Sequence, residues 1–349
     1  MEWIPRLPID YDCGPGCEQI IDESADSYAS WDVQGRYLSY SPEYDEGVRV
    51  IDLETHCFLR IYHPEFTGWL TTFRYPSIDG ENVAFMVEER TYDYFPCKAE
   101  IFLLDLKVGE HRRFLASESS TGTLINHFFV DLKGELLAVV SGTSDSKSQM
   151  MLYDWTLDSL LPVSDPETHV TWPNMSGDYL AWTEVTDGQW DIFVHRLSSS
   201  ETWNLTDHPA RQLAPRINDQ RMVWTDMRNW EGDPVYNYFK HADIFMYDFS
   251  TEEITAITNQ EWIQSFPDIS GDRVVWQDSR DCDDPVDFYD RTAIHIWMYD
   301  LSTEQEHQIT SLSGSQTEAR IEGDRVFFRS AHPDGDDVLF VQALGALDL

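Results

Sequence analysis

Pro267-Asp268-Ile269-Ser270-Gly271-Asp272-Arg273-Val274-Val275-Trp276-Gln277-Asp278-Ser279-Arg280 is a phrase that this chain writes more than once. Pro215-Arg216-Ile217-Asn218-Asp219-Gln220-Arg221-Met222-Val223-Trp224-Thr225-Asp226-Met227-Arg228 is a close copy, and Pro173 to Glu184 is a looser one. A second shared phrase follows, Asp243-Ile244-Phe245-Met246-Tyr247-Asp248 or His295-Ile296-Trp297-Met298-Tyr299-Asp300, and then Ile257-Thr258 or Ile309-Thr310. A recurring unit of this length is one supersecondary element that buries its faces only against its neighbours.

The repeat runs through the whole chain. Its turn falls at Gly35, Gly80, Gly134, Gly177, Asp219, Gly271 and Gly323, at intervals of 45, 54, 43, 42, 52 and 52 residues. Each unit reads as a strand, a Gly/Asp turn, an alternating strand such as Arg273-Val274-Val275-Trp276, a variable loop, a third strand and a hairpin into a fourth. β-Branched and aromatic residues at period two mark strands, and no stretch carries a sustained 3.6-residue apolar stripe. Four strands in a unit of this size make a propeller blade. The expected fold is all-β: a seven-bladed β-propeller in a single domain over residues 1–349.

The two ends fit together. The seventh unit offers only three strands, Glu318 to Ile321, Arg325 to Arg329 and Val338 to Leu344. Glu18-Gln19-Ile20-Ile21 resembles the fourth-strand phrase His307-Gln308-Ile309-Thr310. An N-terminal strand over about 17–22 is therefore expected to complete the C-terminal blade, closing the ring and removing two exposed strand edges.

With 63 acidic and 24 basic residues the formal net charge is −39. A surface of that sign repels nucleic-acid phosphates and anionic lipid, so neither is an expected partner. Only five of the basic residues are lysine, which suits a saline setting or a GC-rich genome equally. No apolar run approaches the ~20 residues of a membrane span, and a monomer with no membrane insertion is expected. Met1-Glu2-Trp3-Ile4-Pro5 lacks the basic and apolar regions of a signal peptide, so the chain is either cytosolic or has lost a leader. Cys13 and Cys17 flank Gly-Pro-Gly just before the closing strand. A local disulfide there would restrain the closure and imply an oxidising compartment; the alternative is a set of unpaired thiols.

The phrase Ile269 to Trp276 with Asp278-Ser279-Arg280, then Ile296-Trp297-Met298-Tyr299-Asp300-Leu301-Ser302-Thr303 and Ile309-Thr310, resembles the TolB-like (WD40-like, PD40) propeller repeats of bacterial periplasmic and surface proteins. The match is good in the fifth and sixth units, fair in the second, fourth and seventh, and poor in the first and third. The resemblance implies the propeller fold, an exported location (periplasmic, cell-surface or secreted) and a protein- or glycan-binding role. The separate α/β domain of TolB has no counterpart here. The repeat motif is structural and transfers no catalytic residue.

The longest loops, Glu88 to Glu100, Met227 to Ala242 and Ser279 to Ala293, share one face of the expected propeller, and the last two carry a duplicated Asp-Pro-Val insert. Long loops on a rigid scaffold are where binding resides, although two recently duplicated blades could also retain inserts without a site. Trp230, Tyr236, Trp262 and Tyr289 lie there as expected apolar contacts for a ligand. Asp226, Asp278 and Glu184 fall in register at the ends of second strands. They either pin their loops, helped by Arg228 and Arg280, or form a carboxylate ring at the channel mouth. Arg211 and Gln264 join them as candidate ligand contacts, among first-strand ends that also present Asn126, His127, His169, Gln212 and Gln316 beside Tyr28 and Thr72. Asp281, Asp283, Asp284, Asp334 and Asp336 are candidate Ca²⁺ ligands, although such acidic runs also occur as merely solvated surface.

No Gly-x-Ser-x-Gly, His-Glu-x-x-His or phosphate-binding glycine loop occurs. The expected function is an exported, non-catalytic binding module for a protein or glycan. The alternative is a propeller lyase or glycosidase acting through His127, His169 and Arg211. A lyase on an anionic polymer needs basic residues that this composition scarcely supplies, which favours binding. If Cys13 and Cys17 form the only bridge, thiol titration of the denatured, unreduced protein from its natural source should find three of the five cysteines reactive; five reactive thiols would refute the bridge.

Overall fold

The computed structural model describes residues 3–5, 17–25, 30–41, 47–55, 57–61, 71–90, 96–107, 111–118, 126–142, 147–229, 241–282, 294–331 and 337–346. For 3–5, 17–25, 57–61, 71–73, 89–90, 96–98, 111–112, 114–118, 126–128, 331, 337–338 and 346 it describes the backbone only. Seven antiparallel sheets follow one another along the chain, the seven blades of a β-propeller. The innermost strands are Ser30–Gln34, Thr71–Asp79, Asn126–Lys133, His169–Ser176, Gln212–Ile217, Gln264–Ser270 and Gln316–Glu322. The described residues contain no α-helix, and so none long and apolar enough to cross a membrane.

The repeated phrases now have physical meanings. Each hydrophobic cluster joins one sheet to the next, as a blade apolar on both faces requires. Val48 and Val50 of blade 1 pack with Val83, Phe85 and Phe102 of blade 2, and Trp31 and Leu38 of blade 1 pack with Phe327 and Leu339 of blade 7. Trp182, Trp224 and Trp276 are fully buried, each against the preceding blade. Burying one such ring contributes about 3 kcal/mol. The threonine of the Ile-Thr phrase locks the sheet edge. Thr206, Thr258 and Thr310 each accept, through Oγ1, the backbone N–H of Ile192, Ile244 or Ile296 at 2.9 Å. Asp248 and Asp300 accept the N–H groups of Ser250 and Ser302 two residues on, the side-chain turn that hairpins into the fourth strand.

The N-terminal segment closes the ring as expected. Cys17–Ala25 pairs antiparallel with Asp337–Ala343 as the outermost strand of blade 7, with Glu18 opposite Val341 and Ile21 opposite Leu339. One further strand was not foreseen: Trp3–Pro5 pairs with Cys57–Ile61 and makes blade 1 five-stranded. The same N-terminal stretch thus holds the outer edges of the first and last blades. Deleting residues 1–25 exposes both edges, and a large drop in the thermal unfolding midpoint, with loss of the full chain's native peak on size exclusion, is expected; a truncated chain as stable as the full one would rule this closure out.

Candidate binding site in the central channel

The acids in register at the second-strand ends are internal. Asp226 and Asp278 are 0% and 1% exposed, and Glu184 is 5% exposed. A strand places residues i and i+2 on one face, so Trp182, Trp224 and Trp276 each donate an indole N–H at 2.9 Å to the carboxylate two positions on. Arg228 grips Asp226 through Nε and Nη2 at 3.0 and 2.7 Å and stacks on Phe245. Arg280 bonds Asp278 at 2.6 Å and Glu306 at 3.0 Å and covers Trp297. Of the two roles considered for these acids, the geometry is that of loop pinning: their oxygens are taken up inside the blade rather than gathered at a channel mouth. Burial raises the pKa of Glu184.

Gln264, Gln212 and Gln316 are likewise fully buried. Gln316 is held by His295, Thr310 and the Leu312 and Gly314 carbonyls, so it braces the interblade connection instead of facing a ligand. His169 is half-buried against the Ser148 hydroxyl at 3.2 Å, and burial lowers its pKa. Trp262 is half-buried at a positive φ of 82°, and Asp281 is exposed. Trp230, Tyr236, Tyr289, Asp283, Asp284, Asp334, Asp336, Tyr28 and Cys13 lie outside the described residues, as do the side chains of His127, Asn126, Thr72 and Cys17. Among the described residues no group of three or more His, Cys, Asp or Glu side chains gathers at metal-ligating distance.

What the structure brings together lies in the channel. Six of the seven innermost strands carry a register shift at one place. The residue at that bulge takes a left-handed φ: Tyr75 50°, Phe129 57°, Trp172 51°, Ala214 56°, Phe266 51° and Glu318 55°. Left-handed backbone costs a bulky residue about 1–3 kcal/mol, and a bulge re-aims the side chain. Bonds from the preceding blade sustain it. Ser30, Thr183, Thr225 and Gln277 accept the N–H groups of Tyr75, Ala214, Phe266 and Glu318 at 2.8, 3.1, 2.9 and 3.3 Å.

The re-aimed residues form a collar around a cavity of about 350 Å³. Tyr75 meets Phe129 at 4.6 Å between ring centroids. Trp172 reaches past the small Ala214 to meet Phe266 edge-on at 6.4 Å. Trp190 lies 6.4 Å from Trp172, and Arg211 sits over Trp190 at 5.3 Å. Trp190 is the second residue of the strand Gln189–Arg196 that follows the Asp187-Gly188 turn, and Arg211 immediately precedes an innermost strand. Both stand at the end of the blade that bears the long loops. An aromatic path thus descends from the loop face through Trp190 and Trp172 to Phe266.

Two residues beyond the collar, in the direction of the hairpin turns, each strand contributes one polar residue: Asp32, Ser77, Asp131, Asn174, Arg216, Asp268 and Arg320. Five of them accept the backbone N–H of the next blade. Asp32 takes it from Ile78 at 2.9 Å, Ser77 from Leu132 at 3.0 Å, Asp131 from Met175, Asn174 from Ile217 at 2.8 Å and Asp268 from Ile321 at 2.8 Å. This ring divides the upper cavity from a lower one of about 530 Å³. Burial, then the charge of Asp32, pushes Asp131 up to about 7; burial, then Arg216, pushes Arg320 down to about 10.

No family model matches the chain, and no curated protein matches it. Solved structures resemble it in fold. The β-propeller domain of the trilobed protease from Pyrococcus furiosus is similar with a TM-score of 0.62 at 12% identity, over 90% of this chain and 92% of that one. An oligogalacturonate lyase in complex with manganese gives 0.64 at 11%, over 98% and 97%. A prolyl endopeptidase gives 0.68 at 10%, over 92% of this chain. The chain spans about half the length of that endopeptidase (49%) and 34% of the tricorn protease. A TolB structure from Agrobacterium tumefaciens also matches, at 16% identity and a TM-score of 0.47, too distant to carry an argument. At such identities the likeness establishes the propeller and leaves activity open.

Asp131 carries a pH prediction. Its carboxyl holds a proton more firmly in the folded chain than at the ordinary 3.8. Its contribution to stability is therefore present at acid pH and is lost as pH rises from about 4 through about 7. Asn at this position keeps the acceptor for Met175 without the charge. Denaturant unfolding of Asp131→Asn should thus gain on wild type over that interval and run parallel to it above about pH 8; a constant difference across the whole range would show that the site titrates normally.

Proposed function

We propose that the chain is an exported, non-catalytic binding module whose protein or glycan ligand approaches the loop-rich face and lays an apolar surface on the aromatic path into the channel. The observation that carries this reading is the collar. Four aromatic side chains are held at costly backbone angles around one cavity; Tyr75, Phe129 and Trp172 also pack against interblade clusters, while Phe266 is 38% exposed. Strain sustained by neighbouring structure, as the bonds from the preceding blade sustain it at Tyr75 and Phe266, accompanies sites kept ready for a ligand, and aromatics fixed by a scaffold bind with little entropy to lose. The TolB-like wording of the repeats, with the binding role usual for such propellers, supports the same reading, as does an acidic composition poorly suited to a lyase on an anionic polymer. The loop aromatics Trp230, Tyr236 and Tyr289 would extend the contact outward.

The test begins with the immobilised full chain, screened against peptide and oligosaccharide arrays, and repeats the strongest hit with Phe266→Ala and Trp190→Ala. Each variant should weaken that hit by about tenfold or more while shifting the unfolding midpoint by only a few degrees. Unchanged binding in both would remove the channel from the site. Incubation with oligogalacturonate, the substrate named for the lyase neighbour, should leave it uncleaved. Release of unsaturated uronides would replace the binding reading with the lyase one.

A further inference from the structure

Two members of the polar ring cannot do what the others do. Arg216 and Arg320 stand where Asp32, Ser77, Asp131, Asn174 and Asp268 accept a backbone N–H from the next blade. A guanidinium has only donors, so at blades 5 and 7 the ring gives up its interblade bond and gains a cation. Among the described residues, most arginines that meet a carboxylate do so at hydrogen-bond distance: Arg221 with Asp272 at 2.7 Å, Arg228 with Asp226 at 2.7 Å, Arg280 with Asp278 at 2.6 Å. The channel pair differs. Among the described residues Arg216 comes no nearer than 4.0 Å to Asp268, beyond hydrogen-bond reach, and Arg320, which lies over the Trp31 ring at 5.6 Å, donates only to its neighbour's carbonyl, that of Ala319, at 2.9 Å.

Asp32, Asp131, Asp268 and Glu318 line the same space, yet none of them takes a hydrogen bond from either arginine among the described residues. Asp268, between the two arginines in ring order, has one oxygen committed to Ile321 N–H. Asp32 and Asp131 are similarly committed to Ile78 and Met175. After burial, the next influence on Arg320 is the repulsion of Arg216, ahead of the attraction of Asp268 and Asp32. Both arginines line both cavities. Two cations sharing one arc of a channel, with donors to spare, match an anion in a way that the rest of this acidic chain does not.

We infer that Arg216 and Arg320 form a carboxylate-binding site beneath the aromatic collar, selecting ligands that carry a carboxylate on an apolar or aromatic group. The inference rests on the collar as the ligand seat and adds what lies under it. Phe266 and Asp268, and likewise Glu318 and Arg320, are two residues apart on one strand across the bulge, so collar and ring are separated by somewhat less than the roughly 7 Å of two residues in regular strand. An aryl ring on the collar and a carboxylate at the arginines fit that separation. A small aryl acid has this chemistry, and so does the free C-terminus of a peptide ending in an apolar residue. A sugar acid lacks the apolar body.

The experiment titrates the full chain calorimetrically with 4-phenylbutyrate and with its amide, and with a short acetylated peptide ending in phenylalanine as free acid and as amide. The acid of at least one pair should bind about tenfold tighter than its amide. If only the aryl acid does so, the natural ligand is a small acid; if the peptide acid does so, it is a chain end. Arg320→Gln and Arg216→Gln should each abolish the preference by weakening the acid and sparing the amide. Arg320→Lys, which keeps the charge without the fork, should weaken it partly and serves if the glutamine variant fails to fold. Asp268→Asn keeps an acceptor for Ile321 and removes a competing charge, so it should tighten the acid by about threefold. Phe266→Ala should weaken acid and amide alike. Equal binding of acid and amide by wild type, or a preference that survives both glutamine variants, overturns the arginine site while leaving the collar standing. Absence of binding by every probe overturns both.

Discussion

One interaction recurs around the channel and sets the rest: a side chain on the innermost strand of one blade accepts a backbone N–H from the innermost strand of the next. A charged acceptor makes such a bond worth about 1.5–3 kcal/mol, and loss of the acceptor would leave a buried donor unpaired. The bond fixes how neighbouring blades are offset. A second tier, from Ser30, Thr183, Thr225 and Gln277, fixes the bulge above it. Backbone that would otherwise relax out of the left-handed region is thereby held from both sides. The collar exists because the blades are stapled to one another at the lumen, and the hydrophobic clusters farther out press together sheets already in register.

Much of this architecture was legible because a propeller solves one packing problem seven times. Trp182, Trp224 and Trp276 meet the same apolar face of a preceding blade, so one residue type recurs at one position, and the Ile-Thr phrase recurs because one hydroxyl must cap one N–H per blade. The closing strand was legible by subtraction, from a last unit one strand short. Trp3–Pro5 was not. Three residues hold no alternation to read, and their partner is whichever sheet edge lies within reach, a property of the closed ring rather than of the segment.

The site was less legible, for an instructive reason. Asp226 and Asp278 recur, yet recurrence in a repeat protein marks what every blade needs, and what these blades need is a carboxylate to hold an indole and a loop. Gln264 and Gln316 recur for the same kind of reason. The informative positions are those where the repeat departs from itself. Arg216 and Arg320 break a series of acceptors. Tyr75, Phe129, Trp172 and Phe266 share the fifth position before each turn residue with Ser30, Ala214 and Glu318. A comparison of units for variation at an inward position, instead of agreement, would have found them. The left-handed φ that aims them had no such signal, since none of the six is glycine, the residue that ordinarily announces it.

The double attachment of the N-terminal stretch has a mechanical side. Trp3–Pro5 lies on the rim of blade 1 and Cys17–Ala25 on the rim of blade 7, so tension applied at the amino end reaches the short three-residue strand before the nine-residue one that closes the ring. The weaker attachment is loaded first and can give way alone, lengthening the tether while the circle of blades stays shut. A domain pulled from that end by a surface or by a neighbour would have a small extensible link in series with a stiff ring, and its channel would keep its shape under the first increments of load.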